Sequence, residues 1–222
     1  MKKILPYIIV SIIVIAFWKI WTSTDNYAWS PEGKELLMLD IALTSIFIYK
    51  TLFWLIIGNT LVYSFKQFKK NNYKTLLISL SLITVFYFSA GYLVERKCAY
   101  DYYIVFINQS VAEEFNDRPI IEAGYEIGKV INENILDKEM KLRRYAIGGL
   151  EKIKYLPATN NLSSILNDRD EMEEFRADAY ETLTKFNTRE SKSIITSFNQ
   201  KAKDTIDRNV IKLGEYFLKS SE

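Results

Sequence analysis

The chain has 222 residues, 49% hydrophobic and 25% charged, and its 29 basic and 27 acidic side chains leave a formal net charge of +2. That balance is too apolar for one soluble domain of this size and too neutral for electrostatic nucleic-acid binding, so no nucleic-acid partner is expected. Histidine is absent and Cys98 is the single cysteine, which excludes imidazole bases, histidine triads, an internal disulfide and cysteine-rich zinc sites; no metal, cofactor or catalytic residue is expected.

In chain order, Lys2 and Lys3 precede an apolar run that closes on Phe17, Trp18 and Trp21. Bulky aromatics are wrong for a signal-peptidase site and right for the headgroup belt, so residues 4–21 are expected to be an uncleaved membrane span. Ser30-Pro31-Glu32 has the form of a helix start, a capping serine before a proline. A second span is expected over residues 36–65 and a third over 75–94, making a membrane domain of residues 1–97. Lys66, Lys69, Lys70 and Lys74 crowd the short loop between the second and third spans. By the positive-inside rule that loop and the N-terminus are cytoplasmic, and the C-terminal domain beyond the third span is outside. Glu95-Arg96-Lys97 is slightly basic on the outer side and keeps the opposite orientation open.

Lys50 and Asp40 are the two ionisable residues inside the second span as drawn, and such residues are candidates for function. Either Lys50 faces a partner's carboxylate or a polar path, or it snorkels while the span slides toward Phe65. Residues 98–117 are unusually aromatic, with Tyr100, Tyr103, Ile104, Ile107 and Val111 at helical spacing. They are expected to form an amphipathic connector or cap; a strand over 102–107 is the alternative. Paired carboxylates at Glu113-Glu114 and Glu171/Glu173/Glu174 are explained by capping and solvation, and no phosphate loop or nucleophile elbow is present.

Residues 118–222 read as short helices. One is expected over 118–134, with Ile120, Gly124, Ile127 and Ile131 on one face; another comes after Asp137, carries Gly148-Gly149 and stops at Pro157. Leu162–Phe186 reads as a short helix, an acidic turn and a longer helix. Asp170 and Glu173 form a capping box, and Met172, Phe175, Ala179, Leu183 and Phe186 form the apolar stripe. The same pattern lies about 33 residues upstream, where Asp137, Arg143, Ala146, Leu150 and Ile153 align with it. A looser copy, with Asp204, Asp207, Arg208 and the stripe Ile206, Val210, Leu213 and Phe217, lies downstream.

Apolar pairs, Asp-x-Asp turns and Arg-Ala-x-Ala segments at this period resemble HEAT repeats of the armadillo-like superfamily over roughly residues 135–217. The resemblance implies a short α-solenoid, so that with the three spans the expected chain is all-α, three transmembrane helices followed by the solenoid. It also implies a structural role, tying adjacent repeats together, for Asp137, Asp168, Asp170, Arg143, Arg176 and Arg208. The expected function is a membrane-anchored, non-enzymatic module that docks a protein partner, an accessory subunit of a bacterial inner-membrane complex. A small transport or channel subunit using Lys50 and Asp40, and an immunity protein against a membrane-targeting toxin, are the alternatives.

Overall fold

The computed structural model describes residues 3–27, 33–109 and 117–220. Among these the chain is 84% helical with no strand, in ten α-helices and two single 3-10 turns. It divides into two compact units, Met1–Asn116 and Asp117–Glu222. Lys2, the Ser30-Pro31-Glu32 helix start, Val111 of the expected aromatic face and the Glu113-Glu114 pair lie outside the described residues.

The first unit holds α1 (Leu5–Trp21), α2 (Gly33–Lys69) and α3 (Tyr73–Asn108). Two helices, not the expected three, have membrane length: α2 with 37 residues and α3 with 36, whereas α1 has 17. At 1.5 Å per residue α2 and α3 each reach about 55 Å, far more than the roughly 30 Å of a hydrocarbon core. The helix that carries the third span therefore runs on past Val94. Glu95, Arg96 and Lys97 are followed by another three turns, because Cys98, Ala99, Tyr102, Val105 and Phe106 continue a buried stripe. That stripe replaces the expected face, since Tyr100 is exposed, and it makes residues 98–108 the end of α3 rather than a separate connector or a strand.

Side-chain contacts set the register of these helices. Ser45 Oγ donates to Asp101 at 2.7 Å, Lys97 lies over the Tyr49 ring, Phe53 stacks on Phe86, and Ser64 and Ser79 share a hydrogen bond at 2.8 Å. α2 and α3 are thus an antiparallel hairpin, turned at Lys70–Asn72, with Asn71 at positive φ and Asn72 capping α3 through the Thr75 amide. α1 lies antiparallel along α2. Lys66 donates to the Lys3 carbonyl, Asn59 donates to Ser11, Gly58 admits Val10, Lys19 lies over Phe47, and Thr24 donates to Asp40.

The second unit runs through α4 (Arg118–Ala123), α5 (Tyr125–Asn134), α6 (Arg143–Lys152), α7 (Thr159–Asn167), α8 (Glu173–Phe186), α9 (Arg189–Lys201) and α10 (Thr205–Ser220). Its core is Ile120, Ile127, Ile131, Ala146, Ile147, Leu150, Leu162, Leu166, Ala179, Leu183 and Val210. The helix expected over 118–134 is broken at Gly124, whose φ of 64° and ψ of −146° end α4 and start α5. Pro157 does not end α6, which stops at Lys152. Lys154 at positive φ turns the chain, and Pro157 sits in the 3-10 turn leading into α7.

The expected capping box of Asp170 and Glu173 is absent. Asp168 Oδ1 instead accepts from the Asp170 amide at 2.9 Å, which holds Asp170 in the turn, and α8 begins at Glu173 behind an extended Met172 without a side-chain cap. Upstream the same Asx turn joins Asp137 to the Glu139 amide at 3.0 Å, so α6 starts at Arg143 and not directly after Asp137. Both hydrogen bonds of a capping box occur at α9, between Thr188 and Ser191.

The expected stripe on α8 is partly wrong: Met172 is 63% exposed and Phe175 half-buried. Arg176, Ala177, Asp178, Tyr180 and Thr182 are buried instead, because α6, α7, α9 and α10 surround α8.

Candidate functional site

Two features gather charged side chains, one in each unit. In the second unit, ion pairs link successive turns between helices. Arg143 Nε donates to the Ile135 carbonyl at 2.6 Å while Nη1 reaches Glu171 at 2.6 Å. Arg176 repeats this, its Nε on the Leu166 carbonyl at 2.9 Å and its Nη2 on Asp207 at 2.5 Å. Each guanidinium is thus fixed backwards to the end of the preceding helix and forwards to an acid in the next turn. Both arginines are buried, and each lies over a ring, Phe175 for Arg143 and Phe198 for Arg176.

A second row runs outside the first. Lys138 pairs with Asp168 at 2.8 Å, and Arg169, one turn further along the chain, pairs with Asp204 at 2.6 Å and Asp207 at 3.2 Å. Lys138 holds the Asp168 carboxyl below the ordinary aspartate range, and the Asp207 amide does the same to Asp204. A cross-link of another kind joins Arg144 to both carboxylate oxygens of Asp178, at 2.7 and 3.2 Å, with Arg144 also over Phe217. Burial pushes the Asp178 carboxyl up to about 6, although Arg144 pulls the other way.

The sequence-derived residues are brought together unequally. Asp137, Asp168, Arg143 and Arg176 occupy matching places in these rows. Asp170 contributes its backbone, the amide to Asp168 and the carbonyl to Lys138. Arg208 does not take the third arginine position: it is exposed, and the neighbouring Asp207 faces Arg176. Sequence reading missed Lys138, Arg169 and Glu171 as pairing groups. Glu171, read as solvated, is buried against Arg143. The recurrence of a cation beside each Asx-turn aspartate, at Lys138 and Arg169, was the available signal.

In the first unit, residues 51–65 of α2 and 75–94 of α3 carry no charge. The hairpin register lays these stretches side by side. Lys66, Lys69, Lys70 and Lys74 cluster at one end, and Lys50, Glu95, Arg96 and Lys97 stand at the other. Lys50 is therefore level with Glu95 and lies at the edge of the uncharged slab. Asp40 lies ten residues beyond and accepts from Thr24 at 2.8 Å. The slab surface is apolar: only 6% of the most apolar stretch of α3 and 33% of that of α2 are buried. A helix buried in a soluble core would show the reverse.

At the edge of the slab a groove of about 280 Å³ opens between α2 and α3, lined by Lys50, Phe53, Trp54, Tyr92, Gly91 and Glu95 among others. Gly91 lets Phe53 approach, an added Cβ falling 3.4 Å from its ring. Neither Lys50 nor Glu95 makes an ion pair or a hydrogen bond among the described residues. Among those residues no group of three His, Cys, Asp or Glu side chains is arranged to hold a metal ion.

Comparison with known families, characterised proteins and solved structures gives no match by family model, by sequence or by fold.

Proposed function

We propose that the chain is a membrane-anchored, non-catalytic docking module: α1, α2 and α3 cross a bilayer, and α4–α10 form a short HEAT-like α-solenoid that holds a protein partner. The observation that carries this reading is the repeated arginine contact. Arg143 and Arg176 each join the end of one helix to an acid in the next turn, which is how stacked helix pairs share a core that none could close alone. On α10, Arg208, Lys212, Glu215 and Lys219 are exposed, and a polar outer side suits the last pair of a stack.

The membrane reading rests on the exposed apolar slab bounded by charge at both ends. α1 fits the same slab, because Lys3 meets Lys66 at one level and Lys19 lies over Phe47 near the other. Its 17 residues span about 25 Å, the short end of what crosses a bilayer. The lysine-rich hairpin turn favours a cytoplasmic turn, with the solenoid on the periplasmic or outer face of a bacterial inner membrane. Lys50 and Asp40 stand at or beyond the slab edge, which weighs against a transport path through them.

The test is site-specific photo-crosslinking in cells from Tyr145 on α6 and Tyr216 on α10, both exposed. Discrete adducts that survive replacement of residues 51–94 by an unrelated membrane hairpin support docking. Adducts lost on that exchange would instead favour a function within the membrane.

A further inference from the structure

We propose that the groove between α2 and α3 is a binding site for a zwitterionic phospholipid whose headgroup carries a phosphodiester and a primary ammonium. This rests on the membrane reading above, since the groove sits where the uncharged slab meets its charged edge. Lys50 comes from α2 and Glu95 from α3; they line the same groove and do not pair with each other. Lys50 is half-buried and shares the groove wall with Phe53 and Trp54, so its stem has apolar surface to cover while its ammonium stays at the rim.

A rim with one cation and one anion selects for charge pattern. A purely anionic headgroup gains Lys50 but is repelled by Glu95, and a lone cation meets the opposite conflict. A phosphate followed two methylenes later by an ammonium satisfies both at once, the phosphate accepting from Lys50 Nζ and the ammonium donating to the Glu95 carboxylate. A quaternary ammonium has no N–H to donate and loses the second contact. Below the rim, Phe53, Trp54 and Tyr92 make walls for the glycerol backbone and the first part of an acyl chain, at the depth where such rings reside in bilayers. At Gly91 the wall is backbone, with the Phe53 ring packed 3.4 Å from where a Cβ would stand.

The full chain in mild detergent is titrated with ethanolamine, choline and glycerol phospholipids of identical acyl chains, and bound lipid is counted by native mass spectrometry. The expected result is a preference of about tenfold for the ethanolamine lipid, the worth of one charge-assisted hydrogen bond. Glu95→Gln should bring it to within about twofold, whereas Lys50→Gln, which removes a contact common to all three phosphodiesters, should weaken the three lipids together and leave the preference standing. Both residues lie at a groove rim and in no ion pair, so neither substitution threatens folding; Trp54→Ala, which removes an exposed part of the wall, should also reduce all three lipids together. Equal binding of the three lipids by the wild type, a preference that survives Glu95→Gln, or lipid binding unchanged by Lys50→Gln overturns the site. Carbonate extraction of membranes separates the two failures: a chain that stays in the membrane without lipid preference sinks this site alone, and a chain that is released sinks the membrane reading with it.

Discussion

Arg176 offers the strongest test of how the second unit is held together. Its side chain is 1% exposed, and Arg176→Met keeps the apolar stem beside Phe198 while removing the hydrogen bonds to Leu166 and Asp207. Breaking a buried ion pair from one side costs about 3–5 kcal/mol, chiefly because the other charge is left buried. Asp207 keeps Arg169 at 3.2 Å and a place in the first turn of α10, where a negative charge is favoured. In the wild type, moreover, Arg176 Nη1 has no hydrogen-bond partner among the described residues, so the pair is worth less than a fully satisfied one. Both considerations put the loss near the lower limit, about 3 kcal/mol. The four tryptophans all precede residue 55, so indole fluorescence does not report on this unit. Hydrogen exchange read on peptides from α8 and α10 of the full chain does, and amides that open with the unit should exchange about a hundredfold faster. Adding Asp207→Asn should recover part of the loss, whereas Arg208→Met, at an exposed position, should change exchange by less than about 0.5 kcal/mol. A loss below about 1 kcal/mol for Arg176→Met, or equal losses at 176 and 208, would refute the ladder as the tie between successive helix pairs.

Two glycines with opposite surroundings provide a paired stability test by the same exchange measurement. Gly148→Ala meets nothing within 4 Å and should stabilise by about 0.5–1 kcal/mol, whereas Gly128→Ala places a Cβ 2.8 Å from Tyr155 Cβ and nearer still to its ring, and should cost about 1–3 kcal/mol. Asp178 governs a pH effect. Its folded value of about 6 lies above the ordinary 3.8, so the folded state holds its proton more tightly than the unfolded one; stability should therefore fall as pH rises from about 4 through about 6 and then level off. Asp178→Asn should flatten that part of the profile, and a wild-type stability that rises across the window would contradict the desolvation account. For topology, alkaline phosphatase and fluorescent-protein fusions after Glu222 should give active phosphatase and a dark fluorophore; the reverse pattern would mean that the Lys66–Lys74 turn is not cytoplasmic.

Much of the helical content was legible because it rests on local rules. The uncharged run from Thr75 to Val94 and the acidic turns before α6 and α8 stand out without any knowledge of neighbours. Faces and ends were less legible, since they depend on what packs around a helix. Arg176, Ala177, Asp178, Tyr180 and Thr182 are buried although they lie off the single stripe that the pattern predicted, because four helices surround α8. The Asp170–Glu173 cap fails for a related reason: Asp168 takes the Asp170 amide first, and Glu171 is drawn to an arginine 28 residues away. The first competitor is local and could have been read, but no window of local sequence contains the second. Arg208 was misplaced because a fixed period was carried forward, while the third turn is the shortest of the three and brings Asp207, not an arginine, into the row.

Lys50 illustrates the same limit at the membrane. Counted along α2 alone from Leu36, it falls in mid-span and invites a role in transport. Counted across the hairpin, where Tyr49 meets Lys97 and Phe53 meets Gly91, it falls level with Glu95 at the end of α3's uncharged run. The energetic difference is large, since a lysine at the centre of a bilayer costs about 2.5–3.5 kcal/mol even on insertion scales, while one at the interface snorkels at little cost. The depth of an ionisable residue is thus a property of the helix pair. Here the pairing moves Lys50 from the middle of an apolar run to its edge, in one groove with a carboxylate that the one-helix view places in another segment.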